Sequence, residues 1–107
     1  MNRNDEALTI MGQIMMEIQV WLNNTPQPEF ELREKDYQRW LINSSRLNSF
    51  SDPSVKQFKQ KFDQLIYSMR PIKALFFGTL YTCSTQSVRL TYSELADIHM
   101  KFALSCQ

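Results

Sequence analysis

Apolar residues recur every three or four positions near the start of the chain, which predicts a long amphipathic helix. Between Leu8 and Leu22 their spacing is three, four, three and four, and Asn4 is a favourable N-cap ahead of them. We therefore predict a helix over residues 4–24. A second apolar stripe lies beside the first, so this helix is either central in its domain or covered by another chain.

The middle of the chain predicts two further helices. Two prolines mark residues 23–29 as a linker, because proline disfavours the α conformation of the residue before it. The pattern then predicts a second helix over 31–47, a break over 48–52 and a third helix over 52–70. The third has the cleanest pattern, since its apolar residues fall within about 100° of arc.

The last third of the chain predicts two more helices. Apolar residues at helical spacing predict a fourth helix over 72–82, whereas residues 83–90 keep no sustained period and are predicted as a loop or short helix. Thr91 and Glu94 form a capping box, which predicts a final helix from Thr91 to about Ser105. Because almost no strand pattern occurs, we predict an all-α fold: a compact bundle of about five helices in a single domain.

Composition supports one folded domain spanning residues 1–107. With 43% apolar residues, the chain is too hydrophobic to be disordered. A domain of this size buries about two-thirds of its surface, which is enough for a core without metals or disulfides. The net charge of +1 gives no strong overall attraction to nucleic acid or anionic lipid.

We expect a cytoplasmic protein with no membrane partner. The first ten residues include two acids and no basic run, and the apolar stretch Leu8–Leu22 is shorter than the roughly 20 residues of a membrane span. In a reducing compartment, Cys83 and Cys106 are expected to be free thiols.

The chain offers few groups for catalysis or for holding a cofactor. His99 is its one histidine, and its helical neighbours are mostly apolar. Cys83, His99 and Cys106 lack the short spacing of zinc ligands, and the two isolated glycines exclude a phosphate-binding loop. We therefore expect a protein that is not an enzyme, with no catalytic residue, no cofactor and no metal site.

Residues 76–90 contain a partial helix-turn-helix pattern. Gly78, Ser84 and Val88 have the spacing of a small residue, a turn and a buried aliphatic residue, although Thr82 stands where the turn glycine is usual. In this alternative the protein is a DNA-binding transcriptional regulator. A recognition helix beginning at Ser84 would read base edges with Gln86, Ser87 and Arg89.

Charge divides unevenly between the two halves of the chain. Residues 1–50 carry a net charge of −2 and residues 51–107 a net charge of +3. Most of the excess comes from five residues: Lys56, Lys59, Lys61, Arg70 and Lys73. This pattern is typical of a solvated helix face, or of a contact for an acidic partner.

The apolar, Met-rich first helix leads to the principal functional hypothesis. A small bundle rarely encloses one helix fully, and methionine suits adaptable interfaces as well as cores. We therefore expect a protein-binding module (an adaptor, chaperone, inhibitor or regulatory subunit) that forms a homodimer, with another protein as its partner and nucleic acid as the less favoured one. The predicted interface residues are Leu8, Met11, Met15, Ile18 and Leu22.

Overall fold

The computed structural model describes residues 3–25 and 28–107 and reveals a mixed α/β fold. The prediction of an all-α bundle of about five helices is therefore wrong. The elements, in chain order, are α1 (Arg3–Asn24), β1 (Glu29–Arg33), α2 (Glu34–Ser45), a 3-10 turn (Arg46–Ser49), α3 (Pro53–Ser68), β2 (Arg70–Ala74), β3 (Gly78–Ser84) and α4 (Thr85–Ser105). The strands form an antiparallel sheet in the order β1-β3-β2.

Helix α1 agrees closely with its prediction over residues 4–24. Seven of its residues are buried, and α4 packs alongside it. The phenol of Tyr92 donates to Gln19 Oε1 at 3.2 Å, while His99 lies beside Gly12 nearer the start of α1. These two pairings show that α4 runs antiparallel to α1.

Strand β1 occupies the end of the predicted linker and the start of the predicted second helix. Its sequence alternates, so that Phe30 and Leu32 are fully buried while their neighbours are exposed. This period of two is that of a strand with one buried face. The second helix consequently begins at Glu34 instead of residue 31, and it ends at Ser45. Of the predicted linker, Pro26 and Gln27 lie outside the described residues.

The core is centred on Trp40 of α2, which is 1% exposed. Its ring lies 5.8 Å from that of Phe30 on β1 and 5.6 Å from that of Phe62 on α3. Its indole N–H donates to Glu17 Oε1 of α1 at 2.9 Å. The same carboxylate accepts hydrogen bonds from Arg39 and Asn43, so a charged group of α1 is held by three donors of α2.

Helix α3 confirms the third predicted helix. Pro53 occupies its first turn, where a missing N–H costs nothing, and the Asp52 carboxylate accepts from the Ser54 N–H at 2.8 Å. Its apolar stripe faces the core, with Val55, Phe58 and Phe62 fully buried.

Residues 70–84 form a β-hairpin, so the helix predicted over 72–82 is wrong. The apolar residues of this segment have helical spacing, but they do not form a buried helix face. Leu75 and Phe76 lie at the turn and are 90% and 86% exposed. Gly78 adopts a φ of 70°, and it is the one described residue with positive φ. A positive φ suits a tight turn between strands, and residues other than glycine rarely adopt it.

Helix α4 begins at Thr85, so residues 83–90, predicted as a loop or short helix, contain the end of β3 and the first turns of α4. The predicted helix start at Thr91 is wrong. Strand β3 runs directly into the helix, and the Thr85 N–H donates to the Pro28 carbonyl at 2.8 Å. Thr91 therefore lies inside the helix. The Glu94 carboxylate forms an ion pair with Lys61 Nζ of α3 at 2.7 Å instead of capping a helix end.

We expect Glu17→Ala to destabilise the fold by about 1–3 kcal/mol, because it leaves the buried Trp40 N–H without its acceptor. Glu17→Gln keeps an oxygen acceptor and should cost less. Urea unfolding measures both variants. In a Trp40→Phe background, which has no indole N–H, Glu17→Ala should lower the free energy of unfolding by distinctly less than it does in the wild type. Such non-additivity is how a double-mutant cycle detects two coupled residues. Equal costs in both backgrounds would contradict this role.

Candidate nucleic-acid interface

Helices α2 and α3 form a packed pair joined by residues 46–52. Besides the contact between Trp40 and Phe62, the Ser44 hydroxyl donates to the Asp63 carboxylate, and the Tyr37 hydroxyl donates to the Ile66 carbonyl at 3.3 Å. These contacts fix the rotation of α3 about its own axis. The side of α3 opposite its buried stripe is thereby turned to solvent.

The outward face of α3 is polar and carries no exposed carboxylate. Five residues make up this face: Lys56, Gln57, Gln60, Gln64 and Tyr67, all of them exposed. Asp63, the one acid within α3, is held by Ser44 and by Lys59 Nζ at 2.5 Å. The face therefore offers amide donors and acceptors with a positive charge, and it does not repel an anion.

An open groove of about 540 Å³ runs between α3 and the segment that precedes it. Asn48 and Phe50 line it together with Lys56, Gln60 and Tyr67 of α3, and the ion pair of Lys59 with Asp63 also borders it. This lining combines hydrogen-bonding groups with flat rings. Such a surface can contact a ligand that has both polar edges and planar faces.

Tyr37 and Tyr81 connect the far end of α3 to the sheet. The rings of Tyr37 and Tyr81 are stacked, with centroids 3.7 Å apart and planes 6° from parallel. Burial raises the pKa of Tyr37, and the nearby phenols of Tyr81 and Tyr67 raise it further. Tyr37 therefore stays protonated near neutral pH and keeps its hydrogen bond to α3.

The hairpin that follows α3 extends the positive charge. Residues 51–84 carry five basic and two acidic side chains, a net charge of +3. Lys59 and Lys61 are paired with carboxylates, and Arg70 lies 4.0 Å from Glu29. Within residues 3–25 and 28–107, Lys56 and Lys73 have no ion-pair partner. These two ammonium groups are thus available to an external anion.

The structure places most of the predicted interface residues of α1 inside the core of the single chain. Met11, Met15, Ile18 and Leu22 are buried, and Leu8 is half-buried against them. The apolar side chains that α1 exposes are Met16 and Val20 instead. On the neighbouring α4 the exposed apolar residues are Leu90, Met100 and Leu104.

The predicted DNA-reading residues Gln86, Ser87 and Arg89 are exposed on the first turns of α4. However, strand β3 precedes α4, so the helix-turn-helix predicted over 76–90 is absent from the described structure. The sequence did not indicate the α2–α3 pair as a candidate site, because its pattern showed only a polar side on the third helix. The scarcity of acids on that side is the signal that could have identified it.

Cys83, His99 and Cys106, the possible metal ligands in the sequence, form no metal site in the described structure. Among the residues that the structure describes, no cluster of three histidine, cysteine or acidic side chains could hold a metal ion. His99 is half-buried between α4 and α1, close to Gly12. Cys83 and Cys106 are free, and burial, together with the charge of Glu29, raises the pKa of the Cys83 thiol to about 11.

Comparisons of the chain with family models, with curated proteins and with solved structures find no match. Over residues 3–25 and 28–107, none of the helices has both the length and the hydropathy needed to cross a membrane.

The raised pKa of Cys83 predicts slow reaction with thiol reagents in the folded protein. At pH 8 a thiol with a pKa near 11 is thiolate in only about one molecule in a thousand, and the thiolate is the reacting species. We expect a disulfide reagent to label the more exposed Cys106 at least tenfold faster, and raising the pH should accelerate the labelling of Cys83. Cys106→Ser should remove the fast phase and Cys83→Ser should retain it. The two cysteines should react at similar rates once the protein is unfolded in urea. Equal labelling rates for Cys83 and Cys106 in the native protein would contradict the prediction.

Proposed function

We propose that this protein binds double-stranded DNA through α2, the turn of residues 46–52 and α3, with α3 as the recognition helix. The β2–β3 hairpin follows directly, so that residues 34–84 have the element order of a winged helix-turn-helix. The observation that carries the proposal is the outward face of α3, rich in glutamine and free of exposed carboxylates, on a helix fixed against α2. We infer a transcriptional regulator without enzymatic activity.

The chemistry of this face suits the major groove of DNA. The groove is about 12 Å wide and admits an α-helix, and its base edges present both donors and acceptors. Glutamine can pair in a bidentate manner with adenine, so Gln57, Gln60 and Gln64 favour sites that contain A·T pairs. Lys56 and Lys73 can contact phosphates. The connection over residues 46–52 is longer than the usual three or four residues of a helix-turn-helix.

This proposal keeps the alternative function expected from the sequence but moves its site from α4 to α3. Gln86, Ser87 and Arg89 have no preceding helix to position them across the DNA backbone, whereas α2 stands in that relation to α3. The cytoplasmic location expected from the sequence remains a part of this proposal.

Binding of a duplex of random sequence should weaken steeply as salt is raised, because phosphate contacts release counterions. On a site selected from a random pool, Gln60→Ala should lower affinity by about 5- to 150-fold, since a bidentate base contact contributes about 1–3 kcal/mol. The matched control is Gln86→Ala, an exposed glutamine on α4, which should leave affinity unchanged. Lys56→Ala should reduce the slope of log affinity against log salt by about one.

Fluorescence anisotropy measures all of these quantities. No binding at about 10 μM protein and low salt would contradict the proposal, because non-specific DNA binding has dissociation constants of roughly 10⁻⁴ to 10⁻⁶ M. A larger loss for Gln86→Ala than for Gln60→Ala would move the site back to α4.

The second proposal is that the protein forms a homodimer. It retains the protein-binding role expected for the first helix, but the interface lies on the exposed side of α1 and not on the predicted, largely buried one. Helices α1 and α4 lie side by side and expose Met16, Val20, Met100 and Leu104. Helix-turn-helix proteins commonly bind two half-sites as two-fold dimers. A second copy of this chain is therefore the partner that agrees with the DNA-binding proposal.

The dimer predicts different outcomes for two methionines of α1. Met16→Glu should give a folded monomer in sedimentation at about 10 μM, because the side chain is 67% exposed. Met15→Lys should instead unfold the chain, since Met15 is only 8% exposed. A wild-type monomer at high concentration would contradict the dimer without affecting the DNA-binding proposal.

A further inference from the structure

The tip of the β2–β3 hairpin is made of three consecutive large apolar residues that face solvent. Leu75, Phe76 and Phe77 are 90%, 86% and 57% exposed. Scattered exposed apolar side chains are normal on protein surfaces, whereas a contiguous apolar patch marks an interaction site. This tip is therefore the feature of the hairpin that most requires a partner.

The turn that presents these residues is ordered by contacts within the chain. The Phe77 N–H donates to the Ala74 carbonyl at 3.3 Å, and the Arg33 guanidinium lies 4.9 Å from the centre of the Phe77 ring. Gly78 supplies the positive φ with which β3 begins. Phe77 is thus fixed against the sheet, while Leu75 and Phe76 project from it.

We propose that Leu75 and Phe76 form a wedge that inserts between base pairs and bends the DNA bound by α3. This inference rests on the proposed DNA-binding function and assigns a part of it to the hairpin. Apolar side chains that partly unstack a base step kink the duplex by roughly 20–90°. The tip carries two such side chains and no polar group that could read a base edge.

The length of the hairpin is sufficient for this contact. Strand β2 starts at Arg70, two residues after α3 ends at Ser68, and its five residues span about 16 Å at roughly 3.3 Å each. That reach exceeds the width of the major groove, about 12 Å. In the proposed complex α3 lies in one groove, and the tip has the reach needed to pass the phosphate strand beside it.

Charge around the tip favours DNA as the occupant. Lys73 stands two positions before Leu75 and has no ion-pair partner among the described residues, and the Arg33 guanidinium lies against the Phe77 ring. These cations can hold phosphates next to an unstacked step. An anionic membrane would also attract an apolar tip with basic neighbours. However, the glutamine face of α3, at the start of the same hairpin, suits base edges and has no counterpart in a lipid surface.

The test measures DNA bending by the whole protein. A duplex of about 30 base pairs carries a donor and an acceptor dye at its ends, and 2-aminopurine reports unstacking inside it. We expect the wild type to raise energy transfer and 2-aminopurine fluorescence. The double variant Leu75→Ser/Phe76→Ser should abolish both changes and bind at least tenfold more weakly. Leu90→Ser is the matched control, since Leu90 is an exposed leucine on α4, and it should behave as the wild type.

The outcomes separate the wedge from the function on which it rests. If the wild type binds without bending and the tip variant binds equally well, the wedge is wrong and the DNA-binding proposal stands. If the wild type does not bind DNA, both are wrong. Vesicles of phosphatidylcholine with about one-third phosphatidylglycerol provide the third arm. Vesicle binding that is lost in the tip variant, with DNA binding unchanged, would assign the tip to a membrane and overturn the wedge.

Discussion

The rest of the structure depends on the burial of one indole, that of Trp40. A tryptophan this deeply buried requires an acceptor for its N–H, and the acceptor is the carboxylate of Glu17 on the first helix. Its ring meanwhile contacts Phe30 on the sheet and Phe62 on α3. One side chain thus ties α1, β1 and α3 to α2. Because an unpaired buried donor or charge is costly, these four elements can pack in few other arrangements.

The same packing decides what α3 presents to solvent. With Phe58 and Phe62 turned inwards, the glutamines must face out, and Ser44 and Lys59 hold the acid that would otherwise disturb this face. On the other flank of α3, Lys61 is paired with a carboxylate of α4. The character of the proposed DNA-binding surface is therefore a consequence of interactions made on its sides and beneath it.

The sheet adds a second constraint through its edges. Strand β3 lies in the middle, so β1 and β2 each have one unpaired edge. Pro71 in β2 lacks an N–H, and the charged Arg70 and Lys73 flank it, which discourages pairing with another chain. The exposed large apolar side chains of the hairpin are those of the tip and Ile72 of β2, which is 49% exposed. The proline and the two charges therefore protect a strand edge that is not wholly polar.

The sequence by itself determined α1 and α3, because their apolar residues are buried and so keep the helical period that burial imposes. It also showed the polar side of α3, but not that α2 holds that side towards solvent. Only the tertiary structure decided the hairpin, since Leu75 and Phe76 imitate a helical stripe although both are exposed. The start of α4 was likewise fixed at long range, by the bond from Thr85 to Pro28. Local periodicity assumes that apolar residues are buried and that helices are capped locally, and neither holds where distant strands pair.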